Sequence, residues 1–260
     1  MTDTEKEQNW QTYRSLLNDN IAIFTANLAL FTAYPNPQLS SVVQFSLPYQ
    51  QDESGLPIAD EYQTLIRKIF KVLTQLSALP NTLFAGHIIS DGMARLYFYT
   101  RDSDAFQSVL AQFEEVDNVE VQRDGDWDLY FDFLLPSPLE MKINATEEVI
   151  EMLTQNNRSL SDTYLVEHSF HFDQKEKMQA FIEKMGLSDI PFNQIQYTDQ
   201  PVRLDDEDDE VYILKLEQEL TLDNSDIFVY VESFEYLAKE FSGEYQGWEC
   251  DNLVEDAQLN

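Results

Sequence analysis

A single cysteine, Cys250, stands in 260 residues. It has no partner for an intramolecular disulfide, and no Cys/His spacing suits a zinc site, which fits a reducing compartment. Glycine is scarce, seven in all, and none lies in a phosphate-cradling loop or a dinucleotide fingerprint. Three scattered histidines give a Ser-His-Asp or Cys-His arrangement little material, and no basic residue stands near Cys250 to activate its thiol. The most apolar run, residues 21–34, is too short to span a bilayer and contains Asn27, while residues 1–9 are polar and acidic, unlike a secretory signal. A cytoplasmic location with no membrane contact is therefore expected. The largest deficit is in positive charge: 16 Lys and Arg face 48 Asp and Glu, a formal net charge of −32. Direct binding to nucleic acid is disfavoured, because counterion release needs clustered cations that are missing. Basic proteins are the natural partners, and the plain alternative is acidity that serves only solubility.

What is present is a folded interior. Hydrophobic residues make up 43% of the chain and aromatics 13%, more than a disordered acidic segment carries, and the length suits two domains. The pattern predicts a helix over residues 5–17, a buried strand over 21–30 and a half-buried strand carrying Val43, Phe45, Leu47 and Tyr49. Tyr62, Leu65, Ile66, Ile69, Phe70, Leu73 and Leu76 share one helical stripe between Pro57 and Pro80. Strands 83–89 and 94–100 flank an Asp91-Gly92 turn, a second helix starts at Asp102 or Ser103, and 119–123 with 127–133 read as another hairpin over Asp124-Gly125.

Pro136-Ser137-Pro138 marks a boundary, dividing the chain into domains 1–137 and 138–260. Beyond it, a connecting helix through Val149, Ile150 and Leu153 precedes a strand with Tyr164, Val166, Ser169 and Phe170. A helix with Met178, Phe181, Ile182 and Met185 follows, stopped by a left-handed Gly186. Strands 192–198 and 211–220 come next, then a helix capped by Asp223 or Asn224 and carrying Ile227, Val231, Phe234, Tyr236, Leu237 and Phe241, then a last strand over 243–250. The expected fold class is α+β, two tandem ferredoxin-like βαββαβ domains with antiparallel sheets.

Glu167-His168-Ser169-Phe170 and the ending Gly243-Glu244-Tyr245-Gln246-Gly247-Trp248 carry a resemblance. The second half, about residues 144–255, resembles the regulator of ribonuclease E activity B family, whose closing Gly-x-Tyr-Asp-Gly-Trp segment is matched at Gly243, Tyr245, Gly247 and Trp248, with Gln246 in place of the Asp. The resemblance implies a bacterial, acidic, non-catalytic protein that binds the arginine-rich scaffold region of the endoribonuclease and inhibits RNA turnover by contact. The first half is similar to an uncharacterised bacterial domain of unknown function, through Trp10, Tyr13, the turn with Gly55-Leu56-Pro57 and strand 95–99. No biochemical role follows from that likeness.

Candidate partner contacts are the run Asp205, Asp206, Glu207, Asp208, Asp209 and Glu210, whose mutual repulsion a cation relieves, together with Glu244, Tyr245, Trp248 and Glu249. Tyr245 and Trp248 suit either an aromatic hot spot or the domain's own core. Asp124, Asp126 and Asp128 alternate around Gly125, but Leu135 stands where a calcium loop needs a closing Glu. His168 and His171 lie in a strand, pointing to opposite faces, and His87 is isolated. No catalytic group, metal or cofactor is assigned. Two rival readings remain: a nucleic-acid mimic occupying the cleft of a nucleic-acid-binding protein, and an enzyme whose pocket is lined by Arg95, Tyr97, Tyr99 and Arg101.

Overall fold

The computed structural model describes residues 10–204 and 210–250, which belong to two units, Met1–Glu140 and Met141–Asn260. Each is α+β with an antiparallel sheet. The first unit begins with a hairpin, β1 (Trp10–Leu17) and β2 (Asn20–Asn27), turning over Asn18 and Asp19 at φ 52° and 65°. Two consecutive left-handed residues are what a two-residue hairpin turn requires. This corrects the helix expected over residues 5–17, of which 5–9 lie outside the described residues. Tyr13 is buried between exposed Thr12 and Arg14, a strand's alternation, and it stacks on Phe24 across the hairpin at 4.9 Å.

β2 is shorter than expected because the Asn27 side chain accepts from Ala29 N–H and donates to the Phe84 carbonyl, opening a 3₁₀ turn over Leu28–Thr32. β3 (Ser41–Pro48), α1 (Ala59–Leu76), β4 (Thr82–Ser90), β5 (Met93–Thr100), α2 (Ser103–Leu110) and β6 (Asp117–Arg123) complete a six-stranded sheet of order β1-β2-β4-β5-β3-β6. The β4–β5 turn is Asp91-Gly92, both at positive φ, and Asp102 caps α2 by accepting from Ala105 N–H at 2.9 Å. Leu65, Ile69, Val72 and Leu76 of α1 bury against Val43, Phe45, Leu96 and Phe98 on one sheet face.

The opposite face is covered by irregular chain. Residues 127–133 do not form the expected strand against 119–123; Leu129–Leu134 is a π-helical turn. Asp124 sets it, its carboxylate accepting from the Asp128 and Leu129 amides at 2.9 and 3.1 Å and from the Tyr99 hydroxyl at 2.5 Å. Trp127, at φ 58°, is fully buried, stacks on Tyr99 and donates its indole N–H to the Leu39 carbonyl at 2.8 Å. Trp127, Tyr130 and Leu134 are the buried residues of this stretch, and a spacing of three and four belongs to a helical turn, not to a strand.

α3 (Pro138–Gln155) opens on a reciprocal cap: Glu140 N–H donates to Ser137 Oγ and Ser137 N–H to the Glu140 carboxylate, at 3.2 and 2.8 Å. Proline at its first position loses no hydrogen bond there. In the second unit β7 (Tyr164–Phe172), α4 (Lys175–Gly186), β8 (Gln194–Tyr197), β9 (Val202–Arg203), β10 (Glu210–Leu220), α5 (Asp226–Glu240) and β11 (Gly243–Cys250) follow. The sheet runs β11-β7-β10-β8, and β9 pairs with the start of β10. Gly186 does not stop α4 in a left-handed conformation: it is the helix's last residue, and Leu187 caps at φ −102°. Asn224 receives the Asp226 amide at the start of α5, and Tyr236 points away from that helix's buried stripe.

Candidate protein-binding surface

β11 departs from regular pairing. Its register with β7 shifts between Tyr245 and Gly247, where Gly247 takes φ 114°. In an unbroken strand Tyr245 and Trp248, three apart, point to opposite faces; one extra residue turns both inward. Tyr245 is 2% exposed, and its hydroxyl lies 2.7 Å from Nδ1 of the fully buried His168. Trp248 is half-buried and donates its indole N–H to Thr146 Oγ1 on α3 at 2.8 Å, while Lys142 pairs with Glu235 at 3.0 Å to tie α3 to α5. A Cβ on Gly243 would stand 2.2 Å from the Phe172 ring. The Gly-x-Tyr-x-Gly-Trp ending is thus a packing device, and Tyr245 is corrected from a partner-contact candidate to a core residue.

Burial pushes the His168 imidazole down to about 3, against a weaker upward pull from Gln218. Among the described residues neither His168 Nε2 nor Gln218 Oε1 finds a hydrogen-bond partner. Burial, then the charge of Glu235, pushes the Tyr245 phenol up, so the pair stays neutral. His171 faces the other side of β7, so the two imidazoles share no site.

That other side carries the charge. The helices pack on the inner face through Phe170, Phe181 and Phe234, while Glu219, Glu244 and Glu249 on the outer one are exposed. Register places Glu249 opposite Glu167, and Glu167 opposite Glu217, so three carboxylates form a row across β11, β7 and β10. Glu219 and Glu244 extend the same face. Lys215 is the one cation that these three strands set among them; its ammonium pairs with Glu167 and lies 3.9 Å from Glu249. The hydrogen bond that Lys215 donates to Glu167 raises the lysine's pKa. Like charges directly opposite destabilise a sheet, so the row stores a repulsion that an arriving cation removes.

Glu244, Glu249 and Glu210 are exposed. Asp205, Asp206, Glu207, Asp208 and Asp209 lie outside the described residues. Sequence reading missed Glu167, Glu217 and Lys215; the signal was the alternation of β7, which buries its even-numbered residues and turns Glu167, Ser169 and His171 to the other side, but strand register was needed to align the carboxylates.

The other singled-out residues do not converge. Tyr97 and Tyr99 are buried in the first unit's core while Arg101 is exposed, so the pocket imagined for an enzyme is not assembled from them. Asp124 turns inward whereas Asp126 and Asp128 are exposed. His87 stacks on Phe84, and burial pushes it down to about 4. Cys250 is buried. Among the described residues no group of three or more His, Cys, Asp or Glu is placed to hold a metal, and no helix is long and apolar enough to cross a membrane.

Residues 143–250 match the family model described as "Regulator of ribonuclease activity B", and residues 8–135 match that of a family of unknown function, DUF695. No curated protein matches the chain. Among solved structures, one described as an unknown protein from Galdieria sulphuraria aligns over 81% of this chain and 98% of its own at 11% identity, with a TM-score of 0.23.

Proposed function

We propose that this chain is a non-catalytic regulator of ribonuclease activity, acting by stoichiometric capture of an arginine-rich protein segment on the outer sheet face of its second unit. The segment we favour is the basic scaffold region of ribonuclease E or of a related RNA-processing assembly, met in the cytoplasm. One observation carries the reading: the part of the chain that matches a ribonuclease regulator also presents the Glu249–Glu167–Glu217 row, offset by a single lysine. Residues 138–260 hold 29 acidic and 8 basic side chains, against 19 and 8 before them. Guanidinium groups, planar and forked, suit rows of carboxylates better than ammonium does. The acidic run 205–210 belongs to the same reading as a second stretch for the segment to follow.

The ferredoxin-like topology and the domains 1–137 and 138–260 are part of this proposal. In support, the order β4-β5-β3-β6 in the first sheet and β11-β7-β10-β8 in the second each set the strands of a βαββαβ unit in the interleaved sequence of that fold. The test is a binding titration of the full chain with an arginine-rich segment of the ribonuclease across salt concentration. Exposed charge pairs are screened beyond about 8 Å at physiological ionic strength, so affinity must fall steeply from 50 to 300 mM salt; an affinity indifferent to salt overturns the reading. RNA added as competitor must leave the complex intact, since displacement by RNA favours a nucleic-acid mimic.

A further inference from the structure

The second face of the first unit's sheet is covered by two stretches, 28–39 and 124–140, that contain no lysine or arginine. Their aromatic rings only partly serve the core. Phe31 is 51% exposed, Tyr34 38% and Phe133 37%, and Phe131 joins the first two through edge-on contacts at 5.8 and 4.9 Å. Phe133 stands edge-on to Phe24 at 5.9 Å. Between Phe131 and Phe133 on one side and Tyr13 and Ser15 on the other lies an open cleft of about 360 Å³, with Asp132 and Glu140 also on its lining. That volume is at the lower end of small-ligand sites.

The chemistry of the lining selects its occupant. An anion meets two carboxylates, and the lining residues include no lysine or arginine. A cation meets aromatic faces, whose quadrupole attracts it, and carboxylate oxygens. Glu140 is held in position by Ser15 Oγ and Ser137 N–H, so its orientation is set before any ligand arrives. The aromatic strip of Phe131, Phe31 and Tyr34 beside the cleft extends the contact along a chain.

We infer that this face of the first unit is a docking site for a basic peptide, one arginine or lysine side chain of which lies in the Phe131–Phe133 cleft against Asp132 and Glu140. The site is separate from the outer sheet face of the second unit and gives a role to the half of the chain whose family match carries none.

The experiment is an amide-shift titration of isotope-labelled full-length chain with an arginine-rich peptide and with its lysine counterpart. Expected are shifts at residues 28–36 and 129–140, with the arginine peptide the tighter. Asp132→Asn and, separately, Phe31→Ala weaken the affinity read at those amides by about two- to fivefold each, with the remaining spectrum unchanged. Glu217→Gln/Glu249→Gln removes the second unit's shifts and leaves these. Shifts confined to the second unit, or insensitive to both first-unit variants, overturn this inference while leaving the ribonuclease reading standing. Shifts in the first unit alone uphold the inference and overturn that reading.

Discussion

Neutralising the glutamate row separates binding from folding by sign. In the double variant Glu217→Gln/Glu249→Gln, Glu167 keeps its lysine and loses the like charges paired with it on both neighbouring strands, which outweighs the loss of the longer, exposed Lys215–Glu249 contact at 3.9 Å. Directly opposed like charges in a sheet cost a few tenths to about 1 kcal/mol each. Side-chain exposures of 69% for Glu249 and 26% for Glu167 put the relief at the lower end, about 0.5 kcal/mol in total after screening. Thermal unfolding at low salt then shifts up by about 1–3 °C for the second unit. Affinity for an arginine-rich segment moves the other way. Each exposed pair contributes up to about 1 kcal/mol, so losing two carboxylates weakens binding by roughly three- to thirtyfold. Calorimetric unfolding and a binding titration on the same sample read both quantities. A variant that is less stable and binds normally refutes the reasoning, because the carboxylates are then structural.

The core makes its own predictions. Tyr245→Phe leaves the buried His168 without its one hydrogen bond and lowers unfolding free energy by about 1–3 kcal/mol, measured by urea denaturation, with no direct effect on binding. His168 is held neutral well below its unfolded value, so the unfolded state takes up the proton first: its contribution is full above about pH 6.5 and declines as pH falls toward about 3, by about 1.4 kcal/mol per pH unit. Denaturation between pH 7 and 4 shows that slope, and His168→Gln flattens it. Gly243→Ala drives a methyl into the Phe172 ring and destabilises by about 1–3 kcal/mol, visible as a lowered midpoint.

Periodic segments were legible. The α1 stripe, the Asp91-Gly92 turn and the bounds of β11 follow from local pattern. Two misreadings share a cause, tertiary use of a local signal. The helix expected over residues 5–17 stopped at Asn18-Asp19, and that dipeptide is the turn of a hairpin whose pairing makes residues 10–17 a strand. Residues 127–133 read as a strand because Asp124-Gly125 suits a hairpin turn, yet the Asp124 carboxylate takes the Asp128 and Leu129 amides and Trp127 needs the Leu39 carbonyl, 88 positions away in sequence. Of the surface, Glu244 and Glu249 were readable from their place beside the closing motif. Their alignment with Glu167 and Glu217 was not, since it depends on register between three strands and on a bulge at Gly247.

The most direct test is RNA cleavage by ribonuclease E carrying its arginine-rich region, measured with increasing amounts of the full chain and compared with the enzyme lacking that region. The account predicts that cleavage falls until the chain equals the enzyme in amount, that 300 mM salt restores it, and that the enzyme without the region is untouched. Unchanged cleavage at a large molar excess, or equal inhibition of both enzyme forms, contradicts it.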